Sequence, residues 1–363
     1  MQTYDLAVLG WTPELAAAFA ALPSADGLIP ARVAAQHRGR LVLYAEAGEL
    51  PAEPSGRFRH EAGPGGFPAV GDWVAARTTG DVALIEALLP RHSAFTRAAI
   101  DVTRRSGVAE SEVIAANIDL VLVVTSADLD LNFRRLERFL AAAWQSGAGP
   151  CVVLTKIDLA EDPAGLLSLV QDVAPGAQVH AVSNVTGEGV PELRARIGPG
   201  RTAALLGSSG VGKSSLVNRL LGEERQAVSE VRADGRGRHT TTHRELLILP
   251  GGGLVLDTPG MRLITPGDDA GIDGAFADIE TLAAACRFND CTHAREPGCA
   301  VRAAVAQGVL SEERLEGYAK LRREMAHMER KDDPRVASET RKRWASIHKA
   351  AKTHMKQKRS GWD

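Results

Sequence analysis

The sequence predicts a multi-domain chain: a small all-β barrel in residues 1–105, an α/β domain in residues 106–266, a mainly helical domain in residues 267–335 and a basic tail in residues 336–363. Three observations lead to this fold class. Short strand-like runs separated by glycine and proline fill the first hundred or so residues. Apolar strands then alternate with helical stretches, and a group of cysteines beside a histidine follows them. A length of 363 residues is enough for two or three domains.

The N-terminal region has the pattern of a small β-barrel. Residues 40–44 and 72–77 are short strand-like runs, and a glycine- and proline-rich stretch at residues 63–66 marks a loop between them. Several short strands in so short a region suit a small barrel. The pattern leaves open whether this barrel is an OB-fold or an SH3-like barrel.

The middle of the chain has the pattern of a parallel α/β sheet. Residues 118–124 form a continuous apolar run, as expected for a strand buried on both faces, and a helical stretch follows at residues 132–145. Further strands are predicted at residues 151–154, 179–182, 203–206, 246–249 and 254–256. Ligands of such sheets bind at the carboxyl ends of the strands, so the residues that directly follow these strands are the candidates for a binding site.

A glycine-rich phosphate-binding loop directly follows the strand at residues 203–206. It consists of Gly207, Ser208, Ser209, Gly210, Val211, Gly212, Lys213, Ser214 and Ser215. The glycines allow backbone N–H groups to converge on phosphates at the start of the next helix. We expect Lys213 to contact the β- and γ-phosphates and Ser214 to bind Mg²⁺, with Asp257 acting on the metal from the other side. A chance glycine-rich turn is the alternative, and the preceding strand argues against it.

A guanine-reading motif is predicted after the strand at residues 151–154. It consists of Thr155, Lys156, Ile157 and Asp158. The Asp158 carboxylate would accept hydrogen bonds from guanine N1–H and the exocyclic amine, and adenine has the opposite pattern there. Lys156 would pack along the base, and Ser183 with the backbone after it would line the pocket. The usual first residue of this motif is Asn, and Thr155 is a variant. A P-loop ATPase with an accidental match is the alternative, which a comparison of GTP and ATP binding would decide.

These motifs occur in a permuted order. In most GTPases the base-reading motif comes after both the phosphate loop and the motif that runs from Asp257 to Gly260, but here it precedes both. The segment after Gly260, which is switch II, therefore runs directly into the helical domain. Only about 25 residues separate Gly260 from the first cysteine of the cluster described below.

The two switch regions contain candidate catalytic residues but lack the glutamine that positions water in many GTPases. The basic segment 236–243 occupies the place of switch I, where one threonine should complete Mg²⁺ coordination; Thr241 is our choice. His239 could orient water or transfer a proton. Met261 follows Gly260, where many GTPases have a water-positioning Gln. We therefore expect slow intrinsic hydrolysis, with the missing contact supplied by a partner or by His239.

A candidate metal site lies in the predicted helical domain. Its ligands would be Cys286, Cys291, His293 and Cys299. Three thiolates and an imidazole suit tetrahedral Zn²⁺, and a filled ligand shell leaves no position for catalysis, so the predicted role is structural. The spacing is not that of a common zinc finger, and three unrelated thiols are the alternative.

Charge is distributed unevenly along the chain. Residues 341–363 contain eight Lys and Arg against one Asp, a net charge of +7, whereas the other 340 residues carry −9. A basic tail on an acidic body favours a polyanionic partner such as RNA, although a solvated helix would have the same composition. The sequence has no run of 18 apolar residues and no signal peptide, so we expect a cytoplasmic protein without a membrane span.

Taken together, the permuted order, the phosphate loop, the motif from Asp257 to Gly260 and the cysteine–histidine cluster resemble one family. The chain is similar, over nearly its whole length, to the ribosome small-subunit-dependent GTPase A family of bacterial assembly factors. Residues 68–74, 89–91 and 115–119 also match that family. The resemblance implies an N-terminal OB-fold, a circularly permuted GTPase domain and a C-terminal zinc domain. It also implies GTP hydrolysis stimulated by the small ribosomal subunit during late maturation, with His239 as a candidate catalytic residue.

Two other functions remain open from the sequence. One is a GTP-regulated RNA-binding scaffold whose hydrolysis is incidental, which Met261 favours slightly. The other is a permuted GTPase that acts on another ribosomal particle. The expected partners are the small ribosomal subunit and its rRNA, and the expected cofactors are GTP or GDP, Mg²⁺ and one Zn²⁺. We expect the protein to be a monomer.

Overall fold

The computed structural model describes residues 3–23, 25–37, 40–63, 65–98, 111–128, 131–223, 244–257, 275–288 and 290–332. These residues form a barrel, an α/β domain and a helical domain in the predicted order. The boundaries drawn at residues 105, 266 and 335 stay predictions, because all three lie outside the described ranges. Within those ranges no helix has the length and apolar character needed to cross a membrane.

The N-terminal part is a closed barrel of five strands. They are β1 (Ile29–His37), β2 (Arg40–Ala45), β3 (Gly48–Pro54), β4 (Trp73–Thr79) and β5 (Val82–Leu88). Their hydrogen-bonded order is β1-β2-β3-β5-β4, and β4 pairs back onto β1. The β3–β5 pair is parallel, which requires a crossover in place of a simple meander. This Greek-key barrel confirms the OB-like prediction.

Two helices interrupt the strands of the N-terminal region. Helix α1 (Pro13–Ala20) precedes the barrel, and α2 (Gly56–Glu61) connects β3 to β4. Thr12 caps α1 by accepting a hydrogen bond from the Leu15 N–H at 3.4 Å. The expectation of an entirely β region was therefore wrong. Helix α1 buries none of its residues completely, but its start has a local helix signal: Thr12 at the N-cap, Pro13 at the first helical position and Glu14 in the first turn.

The α/β domain contains the six strands predicted for it. They are β8 (Leu120–Ser126), β9 (Gly149–Thr155), β10 (Gln178–Ala181), β11 (Thr202–Leu206), β12 (Arg244–Ile248) and β13 (Leu254–Asp257). The order across the sheet is β10-β9-β8-β11-β13-β12. Helices α3 (Phe133–Gln145), α4 (Pro163–Val173), α5 (Val190–Ile197) and α6 (Lys213–Leu221) connect or follow these strands. The sheet is parallel except for β12, which runs antiparallel to β13 and corrects the expectation of a purely parallel sheet.

The barrel and the α/β domain share one hydrogen-bonded sheet. Strand β1 of the barrel pairs antiparallel with β12, which joins all eleven of these strands. A separate two-stranded sheet, β6 (Ala94–Ala98) with β7 (Ser111–Ala116), lies in the chain between the two parts. The Arg32 side chain is 2% exposed and donates to the carbonyls of Leu9, Gly71 and Asn117. It therefore ties the N-terminal segment, the barrel and the start of the α/β domain together.

The C-terminal part is helical, as predicted. Its helices are α7 (Ala277–Ala283), α8 (Ala300–Ala306) and α9 (Glu312–Asp332). Ser311 caps α9, because its Oγ accepts a hydrogen bond from the Arg314 N–H at 3.2 Å. The buried residues Leu315, Tyr318 and Leu321 place one side of α9 in the main hydrophobic core.

Candidate functional site

The phosphate-binding loop connects the carboxyl end of β11 to the first turn of α6. Gly207 has φ +152°, and a Cβ there would lie 2.3 Å from the carbonyl oxygen of Val124. Gly212 has φ +88° and directly precedes α6. Both positions therefore require glycine, for reasons of space and of backbone conformation. The Lys213 ammonium group donates to the carbonyls of Gly207, at 2.9 Å, and Ser208, so it lies against the loop itself.

The predicted base-reading motif follows β9 in an unusual backbone conformation. Lys156 is left-handed, with φ +57°, and a short 3₁₀ turn, Ile157–Leu159, comes next. The Lys156 ammonium group lies 2.5 Å from Asp128 Oδ2, and the other carboxylate oxygen of Asp128 accepts from the Ser126 hydroxyl at 2.7 Å. Asp158 is exposed. These contacts hold the lysine stem beside the motif while the Asp158 carboxylate stays accessible to a ligand.

Thr155 connects the base-reading motif to the phosphate loop. Its side chain is fully buried, and its Oγ1 lies 2.6 Å from the carbonyl oxygen of Val211 and 3.0 Å from that of Thr125. A hydroxyl has a single proton, so it donates to one of these carbonyls at a time. The two motifs are 56 residues apart in sequence, and this contact brings them into one site.

Ser183 organises the loop that follows β10. The side chain is buried, and its Oγ accepts from the N–H groups of Val185, at 3.2 Å, and Thr186, at 3.1 Å. The Ile157 N–H donates to Val182 at 3.3 Å, which places this loop beside the base-reading motif. The predicted pocket lining is therefore adjacent to the predicted base reader, at the same edge of the sheet.

The structure describes only some of the residues that are predicted to bind magnesium or to form the switches. Asp257 is the last residue of β13, which is parallel to and paired with β11, so its backbone lies at the same carboxyl edge as the phosphate loop. Ser214 is in the first turn of α6. His239, Thr241, Gly260 and Met261 lie outside the described residues, as does the basic tail. The roles assigned to all of these residues stay predictions.

Two side chains that the sequence reading did not select belong to this site. Arg135, in the first turn of α3, donates to the Ser208 hydroxyl of the phosphate loop at 2.6 Å. Asn184, next to Ser183, donates through Nδ2 to the Gly212 carbonyl at 3.1 Å. Neither belongs to a recognisable motif. Asn184 lies two residues beyond the predicted strand at residues 179–182, whereas Arg135 lies within the predicted helical stretch at residues 132–145. Neither position by itself indicates a contact with the phosphate loop.

The cysteine–histidine cluster converges in space. The ligand atoms of its four residues all lie within 4.8 Å of one another. His293 Nδ1 is 3.7 Å from Cys286 Sγ and 3.5 Å from Cys299 Sγ, and the two sulfurs are 3.9 Å apart. A tetrahedral ion with metal–sulfur bonds of about 2.3 Å would separate its sulfur ligands by about 3.8 Å. The cluster therefore has the donor set and the dimensions to hold a metal ion.

Neighbouring residues fix the geometry of this cluster. Burial lowers the pKa of His293, which favours the neutral imidazole that a metal requires. Its backbone is left-handed, with φ +59°, and its carbonyl accepts from Arg302 Nε at 3.0 Å. Glu296 accepts from the hydroxyl and the N–H of Thr292 and from the Ala294 N–H, which fixes the turn around the histidine.

Comparison with known proteins identifies the family. A protein from Opitutus terrae, named small ribosomal subunit biogenesis GTPase RsgA, is 47% identical, and the match covers 94% of this chain and 96% of the relative. This chain belongs to the RsgA GTPase family. A Streptomyces coelicolor protein of the same name is 45% identical over 98% of this chain and 96% of its own. The family model described as RsgA GTPase matches residues 88–265, and one described as 50S ribosome-binding GTPase matches residues 202–336.

Solved structures agree with this assignment. YjeQ from Thermotoga maritima is 26% identical, with a TM-score of 0.64, and the match covers 82% of this chain and 99% of that one. YloQ, described as a circularly permuted GTPase, has the same fold, with a TM-score of 0.61 over 84% of this chain and 98% of its own. The permuted order and the predicted fold class are confirmed, and the protein is a GTPase of the RsgA family.

Proposed function

We propose that this GTPase acts in late maturation of the small ribosomal subunit and hydrolyses GTP when it is bound to that particle. The observation that carries the proposal is the extent of the likeness. Three relatives named for small-subunit biogenesis each match at least 94% of the chain, which includes the barrel and the metal cluster as well as the GTPase domain. A shared GTPase domain alone would not indicate a shared partner, because function resides in sites added to a fold.

The nucleotide site is proposed to work as its motifs suggest. Backbone N–H groups of the phosphate loop and Lys213 bind the phosphates, Asp158 accepts from guanine, and Ser214 with Asp257 holds Mg²⁺. Two facts support this proposal: the loops that carry these residues lie at one edge of the sheet, and Asp158 is accessible there. His239 is the proposed group for positioning water or a proton, on the basis of the family resemblance.

The metal held by the cysteine–histidine cluster is proposed to be Zn²⁺. Three thiolates with one imidazole are a donor set that zinc prefers, and four protein ligands leave no open position for a substrate. Helices α7 and α8 have only seven residues each, so this region has little core of its own. The ion would therefore stabilise the fold of the C-terminal domain.

A chain of contacts supports stimulation of hydrolysis by a particle that binds the C-terminal domain. Arg314 of α9 donates to Glu137 of α3 at 3.2 Å. Two residues earlier on α3, Arg135 contacts Ser208 of the phosphate loop. A shift of the C-terminal domain would therefore act on the helix that touches the nucleotide site. Slow intrinsic hydrolysis would then be accelerated by docking, as it is in other GTPases that a partner completes.

The OB-like barrel and the basic tail are the proposed rRNA-binding parts. OB-folds bind single-stranded nucleic acid in a groove, and cationic segments attract the phosphate backbone. We further propose that the protein is a monomer and meets its partner in the cytoplasm. In this proposal one chain binds one ribosomal subunit, and no second copy of the chain is needed.

Turnover of GTP by the purified protein, alone and with purified small or large ribosomal subunits, tests the proposal. Stimulation by the small subunit alone is the expected result. A second candidate, action on the large subunit, is favoured by the match of residues 202–336 to a family described as 50S ribosome-binding GTPase. Stimulation by the large subunit alone would support that candidate. The absence of stimulation by either particle would contradict both and favour an RNA-binding scaffold with incidental hydrolysis.

Base selectivity is tested separately with Asp158→Asn. The variant should lose affinity for GTP and gain affinity for xanthosine triphosphate, because the amide would reverse the hydrogen-bonding pattern that the carboxylate presents. Equal GTP binding by the variant and the parent protein would contradict the role of Asp158. The measurement is equilibrium binding of the two nucleotides, with thermal unfolding to show that the variant is folded.

A further inference from the structure

The loop after β10 is attached directly to the phosphate loop by Asn184. Its Nδ2 donates to the carbonyl oxygen of Gly212 at 3.1 Å, immediately before α6 begins. A Cβ at Gly212 would lie 2.9 Å from the same Nδ2. The glycine therefore allows the close approach that the hydrogen bond needs. This contact joins the pocket-lining segment 183–189 to the segment that would bind phosphate.

Thr155 does not provide this connection. In the described part of the chain, its hydroxyl contacts the carbonyls of Val211 and Thr125 and makes no hydrogen bond to segment 183–189. The residue usual at this position of the motif, asparagine, has two amide donors and an acceptor, whereas threonine has a single hydroxyl proton. The single proton of the Thr155 hydroxyl is used for the Val211 or the Thr125 carbonyl, so Thr155 has no further donor for segment 183–189. The amide that is absent at position 155 is present at position 184.

A second residue fixes the same loop from the other side. Arg219, on α6, donates from Nε to the carbonyl of Asn184 at 2.6 Å and from a terminal nitrogen to that of Val185 at 2.8 Å. Helix α6 begins at the phosphate loop, so the loop after β10 is tied to both the start and the body of one helix. Both backbone and side chain of Asn184 are thereby held in place.

We propose that Asn184 is a positioning residue that couples the base pocket to the phosphate loop, and that it replaces the asparagine missing from position 155. The inference rests on the nucleotide site proposed above and adds a residue to it. Asn184 acts through the Gly212 carbonyl: together with the Thr155–Val211 contact, it fixes the position of the base-pocket loop relative to the phosphate loop, so that the base and the phosphates of one nucleotide are bound together. Preorganisation of this kind raises affinity because less freedom is lost on binding.

Replacement by alanine gives the direct test. Asn184→Ala should weaken GDP and GTP binding about tenfold each, which corresponds to about 1.4 kcal/mol. The loss should be similar for the two nucleotides because the contact positions the loops that bind the base and the α- and β-phosphates, which GDP and GTP share. The measurement is equilibrium binding of fluorescent GDP and GTP analogues to the full-length protein, together with its unfolding temperature.

Gln171→Ala is the matched control. Gln171 makes the same kind of contact, an amide donating to the Ala177 carbonyl at 3.1 Å, but it does so on α4, outside the nucleotide site. It should leave both affinities within about twofold of the parent protein, a difference of no more than about 0.4 kcal/mol. A similar loss in both variants would show that general loosening of the domain, and not the loop connection, weakens binding.

Rescue distinguishes coupling from a merely structural role. The double variant Asn184→Ala with Thr155→Asn restores an amide next to the phosphate loop, and it should recover most of the lost affinity. Failure of the rescue in a folded double variant would overturn the proposal, as would an unchanged affinity of Asn184→Ala. If the parent protein itself bound no guanine nucleotide, the proposed nucleotide site would fail first, and that result is distinct from either of these.

Discussion

The barrel and the C-terminal helices are attached to the same α/β domain in physically different ways. The barrel is joined through main-chain pairing of β1 with β12 and through the buried Arg32, which donates to three backbone carbonyls. The C-terminal domain is joined through Arg314, which donates to Glu137 and to the Val173 carbonyl of the α/β domain, both at 3.2 Å, while Asp278 of α7 holds the same guanidinium at 2.6 and 2.7 Å. One attachment is a continuous sheet, and the other combines apolar packing of α9 in the main core with a buried cluster of charges.

The two attachments should respond differently to conditions. Backbone carbonyls do not titrate, so the connection through Arg32 persists as long as the arginine is charged. Burial lowers the pKa of Arg32 to about 10, which still leaves it charged near neutral pH. Around Arg314, two carboxylates share one guanidinium, and burial raises the pKa of Glu137 to about 7. The barrel should therefore move with the α/β domain, whereas the position of the C-terminal domain can respond to pH and to a binding partner.

Removal of the metal should have the largest effect, and it should be confined to the C-terminal domain. A strong chelator, or Cys299→Ser, removes the ion that the cluster is proposed to hold, and helices α7 and α8 should lose their structure. Hydrogen exchange should show loss of protection there, while β8 and β9 of the central sheet stay protected. Equal protection with and without chelator would contradict the structural role of the metal.

Arg32→Ala should produce the next largest effect. It leaves the buried carbonyls of Leu9 and Asn117 without a donor and removes one of the two donors to the Gly71 carbonyl. It also creates a cavity beside Trp73, whose ring centre lies 5.7 Å from the guanidinium carbon. We expect a loss of about 3–5 kcal/mol in the free energy of unfolding, since each buried group left unpaired costs about 1–3 kcal/mol. Denaturant unfolding measures it. Separate unfolding transitions for the barrel and the α/β domain would contradict the inference that the two move as one unit.

Arg314→Ala should destabilise less, by about 2–3 kcal/mol, because Asp278 can regain water and Glu137 can take up a proton. The loss should fall on the C-terminal domain, which native-state hydrogen exchange can localise. Arg134→Ala is the matched control, since the Arg134–Glu316 pair, at 3.0 Å, joins the same two helices with both side chains more than half exposed. It should cost about 0.2–1 kcal/mol. Equal losses in the two variants would contradict the central role of Arg314.

Glu137→Gln should have the smallest effect, visible mainly as a change in pH dependence. A carboxyl group whose pKa is raised by folding stabilises the protein below its unfolded pKa of about 4.3, and this contribution is lost as the pH rises through about 7. The stability of the parent protein relative to the variant should therefore fall by about 1–2 kcal/mol between pH 5 and pH 8. Parallel stability curves over this range would show that Glu137 does not titrate as inferred.

The sequence by itself determined the features that can be recognised from residues adjacent in the chain. A phosphate loop is recognised because its glycines and lysine follow a strand and precede a helix, and β11 and α6 flank it as expected. The order of the motifs and the four residues of the cluster were readable for the same reason. The antiparallel direction of β12 was not, because the direction of a strand is set by its pairing partner and not by its own residues.

Only the tertiary structure decided which distant groups meet. An arginine or an asparagine can donate to any carbonyl, so its residue type does not identify its partner. Arg135 meets Ser208 across 73 residues, Asn184 meets Gly212 across 28, and Arg314 meets Glu137 across 177. These partners are fixed by the path of the chain through the sheet and by the packing of α9 on α3. The sequence therefore determined the groups proposed to bind the nucleotide, and the fold determined the side chains that hold those groups in place.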